Sequence, residues 1–277
     1  MSNRTVRVDA KRFGPWALVT GASSGIGHAF AEQLAANGIN LVLAARRLSL
    51  LDTIGRQLAD RHRIEYRAVR LDLAEPDFLD TVVDATRDLD IGLVVSNAGD
   101  MNLGEFVAAE HRDLVAELRV NAESHLSLAH HFGRSLARRG RGGIILVSSM
   151  AGIQGVPWIA NYSATKAYTL SLGEALHREL AGHGVTVTVL VPGATATPMT
   201  ARFGADRTPM GRLMMPAAAC AAEGLVALRA QRATRISGRM NRVTVALTPR
   251  KTRVRMFGGM NRSMAKRAGA PAYHGAG

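Results

Sequence analysis

The run Ala17, Leu18, Val19, followed by Thr20, Gly21, Ala22, Ser23, Ser24, Gly25, Ile26 and Gly27, constrains this chain more than any other feature. Three successive apolar residues read as a short buried strand, and Phe30 and Leu34 beyond the glycines fall at helical spacing. The segment is strand, glycine turn, helix. Gly21 permits a tight turn, Gly25 lets a phosphate-bearing ligand approach the backbone, and Gly27 allows the helix to pack closely on its sheet. The helix N-terminus then faces any bound phosphate with free amide groups. A parallel sheet with a nucleotide at its strand ends is the expectation.

The rest of the chain repeats the alternation. Gly38 stops the first helix, and Leu41, Val42, Leu43 and Ala44 form a second buried strand. Residues 48–61 read as a helix and 66–71 as a strand; Pro76 opens another helix that ends before the strand 91–96. A long helical stretch over about 109–138, with Leu114, Leu118, Leu126 and Leu128 among its apolar residues, leads into the run Ile144, Ile145, Leu146, Val147. Strands separated by helical patterns predict an α/β fold, a doubly wound parallel sheet of about seven strands with helices on both faces. With 277 residues the chain suits one large domain, expected over 14–249, after a basic N-terminal arm at 1–13 and before a basic segment at 250–277.

Directly after the apolar run stands Ser149, thirteen residues before Tyr162, and Lys166 follows that tyrosine by four. Four residues is about one helical turn, so the ammonium and the phenol share a face. A phenol titrates near pH ~10, and a neighbouring cation draws that value down, which makes the tyrosine a usable proton donor. Ser149, leaving a strand end, supplies a hydroxyl to hold a substrate oxygen beside it.

Together these residues give the chain a resemblance to the short-chain dehydrogenase/reductase family of the Rossmann type, over roughly residues 14 to 230. The resemblance includes Asn97, Ala98 and Gly99 after the strand 93–96, Asn121 between Val120 and Ala122, Asp72 after Leu71, and Pro192, Gly193 and Thr197 after the strand 185–191. It implies that Ser149, Tyr162, Lys166 and Asn121 are catalytic, Asn121 through a helix distortion whose carbonyl holds a water of the proton relay. It also implies a nicotinamide nucleotide held by Gly21, Ser23, Ser24, Gly25, Ile26, Gly27, Asp72, Leu73, Asn97, Ala98, Gly99, Tyr162, Lys166, Pro192, Gly193, Thr195 and Thr197. Asp72 would accept a hydrogen bond from the adenine amino group, and the cap of a turn before Pro76 is its other reading.

Arg46 and Arg47 end the second strand, about 20 residues beyond the glycine turn, where an acidic residue would hold the ribose hydroxyls. Two guanidinium groups offer forked donors to a 2′-phosphate instead, so NADP(H) is expected over NAD. An NAD-dependent alcohol dehydrogenase of the same family, and a non-catalytic NADP sensor or interaction protein, are the alternatives.

The substrate is expected to be a hydrophobic carbonyl or alcohol. Met101, Trp158, Met199 and Phe203, with Ser149, are its candidate contacts, and Met210, Met214 and Met215 stand near the same loops. The net charge of +13 lies almost wholly in the tail, where residues 224–277 hold 12 Lys or Arg and no acid. Met256, Phe257, Met260 and Met264 recur there at helical spacing among Arg253, Arg255, Arg262, Lys266 and Arg267. Contact with an anionic membrane surface, contact with another subunit in a homodimer or homotetramer, and a solvated tail are the three readings. No nucleic-acid reading module accompanies the charge. The lone Cys220 suits a buried position in a reducing compartment, no metal site is indicated, and no run of eighteen or more apolar residues interrupts the chain, so a cytoplasmic protein is expected.

Overall fold

The computed structural model describes residues 6–204, 211 and 214–272. Seven strands make one sheet: β1 (Trp16–Thr20), β2 (Asn40–Ala45), β3 (Tyr66–Arg70), β4 (Ile91–Ser96), β5 (Gly142–Val147), β6 (Val185–Val191) and, late in the chain, Thr234–Ile236. Two further two-residue strands, β7 (Thr195–Ala196) and β8 (Met215–Pro216), pair with each other, so Thr234–Ile236 is β9. The order β3-β2-β1-β4-β5-β6-β9 is parallel throughout, as in a Rossmann sheet.

Among the described residues, ten α-helices come before residue 248: α1 (Ala10–Phe13), α2 (Gly25–Ala35), α3 (Leu48–His62), α4 (Phe78–Thr86), α5 (His111–Leu118), α6 (Ser124–Arg139), α7 (Ala160–Ala181), α8 (Pro198–Arg202), α9 (Ala217–Arg229) and α10 (Arg239–Leu247). The last helix is α11 (Arg250–Arg267). One apolar layer holds Phe30, Leu34, Leu51, Leu225 and Leu228 against one face of the sheet; Phe78, Val82, Leu128 and Phe132 cover the other. Both faces are dry, which is why β4 and β5 are buried at every residue and read as continuous apolar runs. Each fully buried Leu or Phe there contributes roughly 1.5–3 kcal/mol.

Three sequence expectations change in detail. The helix expected from Pro76 starts at Phe78. The long helix expected over 109–138 is interrupted by a π-turn, Arg119–Glu123, in which the Ser124 amide donates to the Arg119 carbonyl. Leu118 and Leu126, on either side of that turn, are exposed, whereas Leu128 is buried. Residues 6–13, the described part of the segment 1–13 expected as a basic arm, are docked: Phe13 is buried, the Arg12 guanidinium donates to the Thr186 hydroxyl, and Asn37 bonds the backbone of Val6 and Val8.

Because all strands run the same way, their carboxyl ends lie along one edge of the sheet, and that edge opens into the main cavity.

Candidate active site

The cavity has a volume of about 670 Å³. Its floor is the row of loops that leave β1, β2, β3, β4, β5 and β6, and its far wall includes Phe257, Met260 and Asn261 of α11.

The first of those loops is the glycine turn. Gly21 and Gly25 adopt φ of +67° and +58°, which a side chain would oppose. A Cβ on Gly27 would stand 2.4 Å from the Gly21 carbonyl oxygen, so only glycine lets α2 begin against the turn. Ser24 caps α2 without a side-chain hydrogen bond, leaving the first-turn amides facing the cavity. Thr20 ties the turn to its neighbour: its hydroxyl accepts from the amides of Asn97 (2.9 Å) and Ala98 (3.1 Å), and its carbonyl accepts from Asn97 Nδ2. Arg46 and Arg47 are exposed at the same end, with Arg47 donating to the Ser23 hydroxyl at 3.0 Å. Asp72 Oδ1 accepts from the Ala74 amide, so one of its oxygens serves the turn. This end fits a phosphorylated dinucleotide: backbone amides, two exposed guanidinium groups, and glycines where a side chain would obstruct.

Ser149, Tyr162 and Lys166 converge on the cavity. Ser149 is reached from the end of β5, and Tyr162 and Lys166 lie one turn apart on α7. Burial holds the Tyr162 phenol above its ordinary value of 10.0; the Ser149 hydrogen bond opposes this and the negative charge of Glu117 adds to it. That corrects the expectation that Lys166 draws the phenol down. Lys166 donates from Nζ to the Val147 carbonyl at 3.0 Å and lies 5.8 Å from the centre of the tyrosine ring. Burial also lowers the Lys166 ammonium to about 8, with Glu117 opposing.

Asn121 does not line the cavity. It sits buried on the π-turn and clasps the loop after β4, accepting from the Asp100 amide at 2.9 Å and donating to the Asp100 carbonyl at 2.7 Å. Its own carbonyl accepts from the Thr169 hydroxyl of α7 at 3.0 Å. A helix distortion is therefore present where the resemblance implies one.

Among the buried polar residues that escaped the sequence reading are Glu117 and His125. Glu117 accepts from Asn102 and Asn161, and burial raises its carboxyl above the ordinary range. His125 is wholly buried, with Nδ1 2.6 Å from the Ser96 hydroxyl, and burial followed by the Lys166 charge holds its imidazole well below 6.5 and neutral. Both stand four residues from Asn121, a spacing that could have flagged them.

Of the expected substrate contacts, Met101, Ser149 and Met199 line the cavity. Trp158 and Phe203 stand behind it, in an apolar cluster with Met101, Leu103, Tyr162, Phe257 and Met264. Neither Met214 nor Met215 lines it; Met215 packs on the core that holds Phe30 and Cys220. Met210 lies outside the described residues. Cys220 is buried, and burial raises its thiol to about 11. Among the described residues no group of three His, Cys, Asp or Glu is placed to hold a metal ion, and no helix is long and apolar enough to cross a membrane.

The apolar face expected on the tail is divided. Phe257 and Met264 turn inward to the cluster around Tyr162, Met256 and Met260 are exposed, and Arg253, expected among the solvated charges, is buried.

Known proteins resemble this chain in sequence and in fold. The 7β-hydroxysteroid dehydrogenase of Collinsella aerofaciens is 36% identical over 188 residues, covering 68% of this chain and 72% of that protein. A solved 7β-hydroxysteroid dehydrogenase structure matches with a TM-score of 0.83 at 30% identity, over 90% of this chain and 98% of the other. A short-chain dehydrogenase from Sphingobium yanoikuyae in complex with NADPH matches with a TM-score of 0.76 at 29% identity, over 91% and 95%. The family model for short chain dehydrogenase matches residues 15–208, and on these grounds the chain belongs to that family.

Proposed function

We propose that this protein is an NADP(H)-dependent oxidoreductase that interconverts a ketone and a secondary alcohol on a bulky hydrophobic substrate of the steroid or oxoacyl kind. The observation that carries the reading is the convergence of Ser149, Tyr162 and Lys166 on one cavity whose opposite wall is apolar. NADPH, when bound, supplies the hydride.

The remaining work belongs to the chain. Gly21 to Gly27 and the amides of α2 hold the pyrophosphate, and Arg46 and Arg47 hold the 2′-phosphate. Asp72 keeps one carboxylate oxygen for the adenine amino group, and Leu73, Asn97, Ala98, Gly99, Pro192, Gly193, Thr195 and Thr197 complete the cradle. Ser149 donates to the carbonyl oxygen, and Tyr162 donates the proton to it in the reducing direction. A phenol held above its ordinary value is protonated at neutrality, which suits the acid. In the oxidising direction it must first lose that proton, and the Lys166 ammonium, 5.8 Å from the centre of the ring, would stabilise the phenolate that forms. Thr169 engages one lone pair of the Asn121 carbonyl; the second can hold the water of the relay.

NADP(H) preference is supported by Arg46 and Arg47 and by the likeness to a structure in complex with NADPH. A steroid-like substrate is supported by the likeness to 7β-hydroxysteroid dehydrogenases. Assembly of copies into a dimer or tetramer is supported by the exposed Leu118, Leu126 and Tyr168, which line one shallow depression on α5, α6 and α7.

A panel of fused-ring ketones and oxoacyl thioesters, followed with NADPH and with NADH at the nicotinamide absorbance band, tests the reading. Turnover with NADPH is expected. Faster turnover with NADH would assign an NAD-dependent enzyme, and tight NADPH binding without turnover of any ketone would assign a sensor.

A further inference from the structure

Helix α11 presents one inward stripe, Phe257, Asn261, Met264 and Ala265, at helical spacing. Phe257, Met264 and Ala265 belong to the apolar cluster that holds Tyr162. Asn261 is the polar member of that stripe. It is 5% exposed and lines the catalytic cavity, and neither end of its amide meets a hydrogen-bond partner among the described residues. With no protein partner, the amide is left open to whatever fills the cavity.

The helix that carries it is held firmly. Arg253, 7% exposed, donates from Nε to Gln154 Oε1 at 3.0 Å and from Nη1 to the carbonyls of Val245 (2.6 Å) and Thr248 (2.9 Å). Gln154 in turn donates to the Met150 carbonyl, in the turn that follows Ser149. Gly258 lies so close to Pro157 that a Cβ would stand 3.0 Å from the proline ring, and Arg262 stacks on Trp158 at 5.9 Å. Beyond α11, the Glu105 amide donates to the Pro271 carbonyl. The wall is thus tied to the loops on both sides of the site.

We infer that Asn261 is a specificity-determining residue: its amide hydrogen-bonds a second oxygen function, a hydroxyl or carbonyl, that a bulky apolar substrate carries away from its reacting carbonyl. This rests on the oxidoreductase reading above and deepens it. An amide both donates and accepts, so it can take either oxygen type, whereas the Met and Phe side chains around it select only for apolar bulk. A substrate lacking that oxygen leaves the amide unpaired and is discriminated against.

Matched fused-ring ketones, one bare and others bearing a hydroxyl or a keto group at the ring remote from the reacting carbonyl, test this. The wild type should favour an oxygenated member in kcat/KM, and Asn261→Leu should lose about tenfold or more on that member while changing the bare ketone less than about twofold, since one hydrogen bond of about 1.4 kcal/mol is tenfold. Asn261→Asp, nearly isosteric, should keep the hydroxyl and reject the keto group, because a carboxylate only accepts. Calorimetric binding of the same compounds to the NADP⁺-loaded proteins needs no turnover and keeps the two readings separable. If compounds bind with the expected Asn261 dependence yet none is reduced, the oxidoreductase reading fails alone. Equal changes across the series, or none, would overturn the Asn261 assignment while leaving reduction intact. No binding of any compound to the wild type would overturn it as well.

Discussion

The two ends of the cavity are built in opposite ways. At the nucleotide end the walls are strand-end loops whose backbone makes the shape, through positive φ at Gly21 and Gly25 and the close approach of Gly27 to Gly21. At the far end the walls are side chains from distant segments, joined by contacts such as Arg253 to Gln154, 99 residues apart. A backbone-made site tolerates few residue types and suits one fixed ligand. A side-chain-made site can vary with its residues while the sheet beneath stays the same.

The sharpest way to separate the two ends is to remove the proposed proton donor between them. Tyr162→Phe should lose ketone reduction by about 100-fold to 10000-fold, while NADPH affinity, measured by nucleotide fluorescence, stays near wild type. Retained turnover would remove Tyr162 from the mechanism.

Next in size is the nucleotide end itself. Arg46→Ala with Arg47→Ala should weaken NADPH by about tenfold or more and NADH hardly at all, taking charge-assisted hydrogen bonds of roughly 1.5–3 kcal/mol each at the lower end for exposed groups. Equal loss of both nucleotides would place the 2′-phosphate elsewhere.

The far end should respond in the reverse sense. Arg253→Met unpins α11 from Gln154, and the expected result is a several-fold rise in KM for a bulky ketone, with NADPH affinity within about twofold of wild type. A fall in nucleotide affinity as large as the loss for ketone would mean that the two ends are not separable. Limited proteolysis should also cut the variant earlier within 250–267.

The smallest effect concerns Lys166, which lies beside Tyr162 in the same cavity. Lys166 titrates at about 8 in the folded protein against 10.5 when free, so between those values the unfolded chain binds more protons. Its contribution to stability is therefore complete above pH 10.5 and is lost as pH falls through about 8. Comparing chemical denaturation of the wild type with Lys166→Met across that window should show stability rising more with pH in the wild type, the pH dependence from Cys220 being common to both.

The same contrast explains what was legible in the sequence. The glycine turn, the strand runs and the spacing of Ser149, Tyr162 and Lys166 are local, so periodicity and residue type reach them. The direction of the phenol's shift was not local: it depends on how deeply Tyr162 is buried and on Glu117, both products of packing. Nor was the face of α11. Phe257 and Met264 fit either a buried stripe or an exposed one, and no pattern announces that Arg253 will lose its water to three neutral acceptors. Leu118 and Leu126 were read among the apolar residues of one continuous helix, which a widened turn between them interrupts.

That widened turn can be seen as a matter of chain length. A π-turn holds one residue more than the α-turn it replaces, and shortening it by one closes an ordinary turn without rotating the helices on either side. A chain with a single residue deleted within 119–123 should therefore still lay Leu128 and Phe132 on the sheet, yet it would lack the reach by which Asn121 clasps Asp100 and meets Thr169. Fold and chemistry are separated here by one surplus residue, and an insertion of that size is how a plain scaffold helix of this length could acquire a place in a catalytic site.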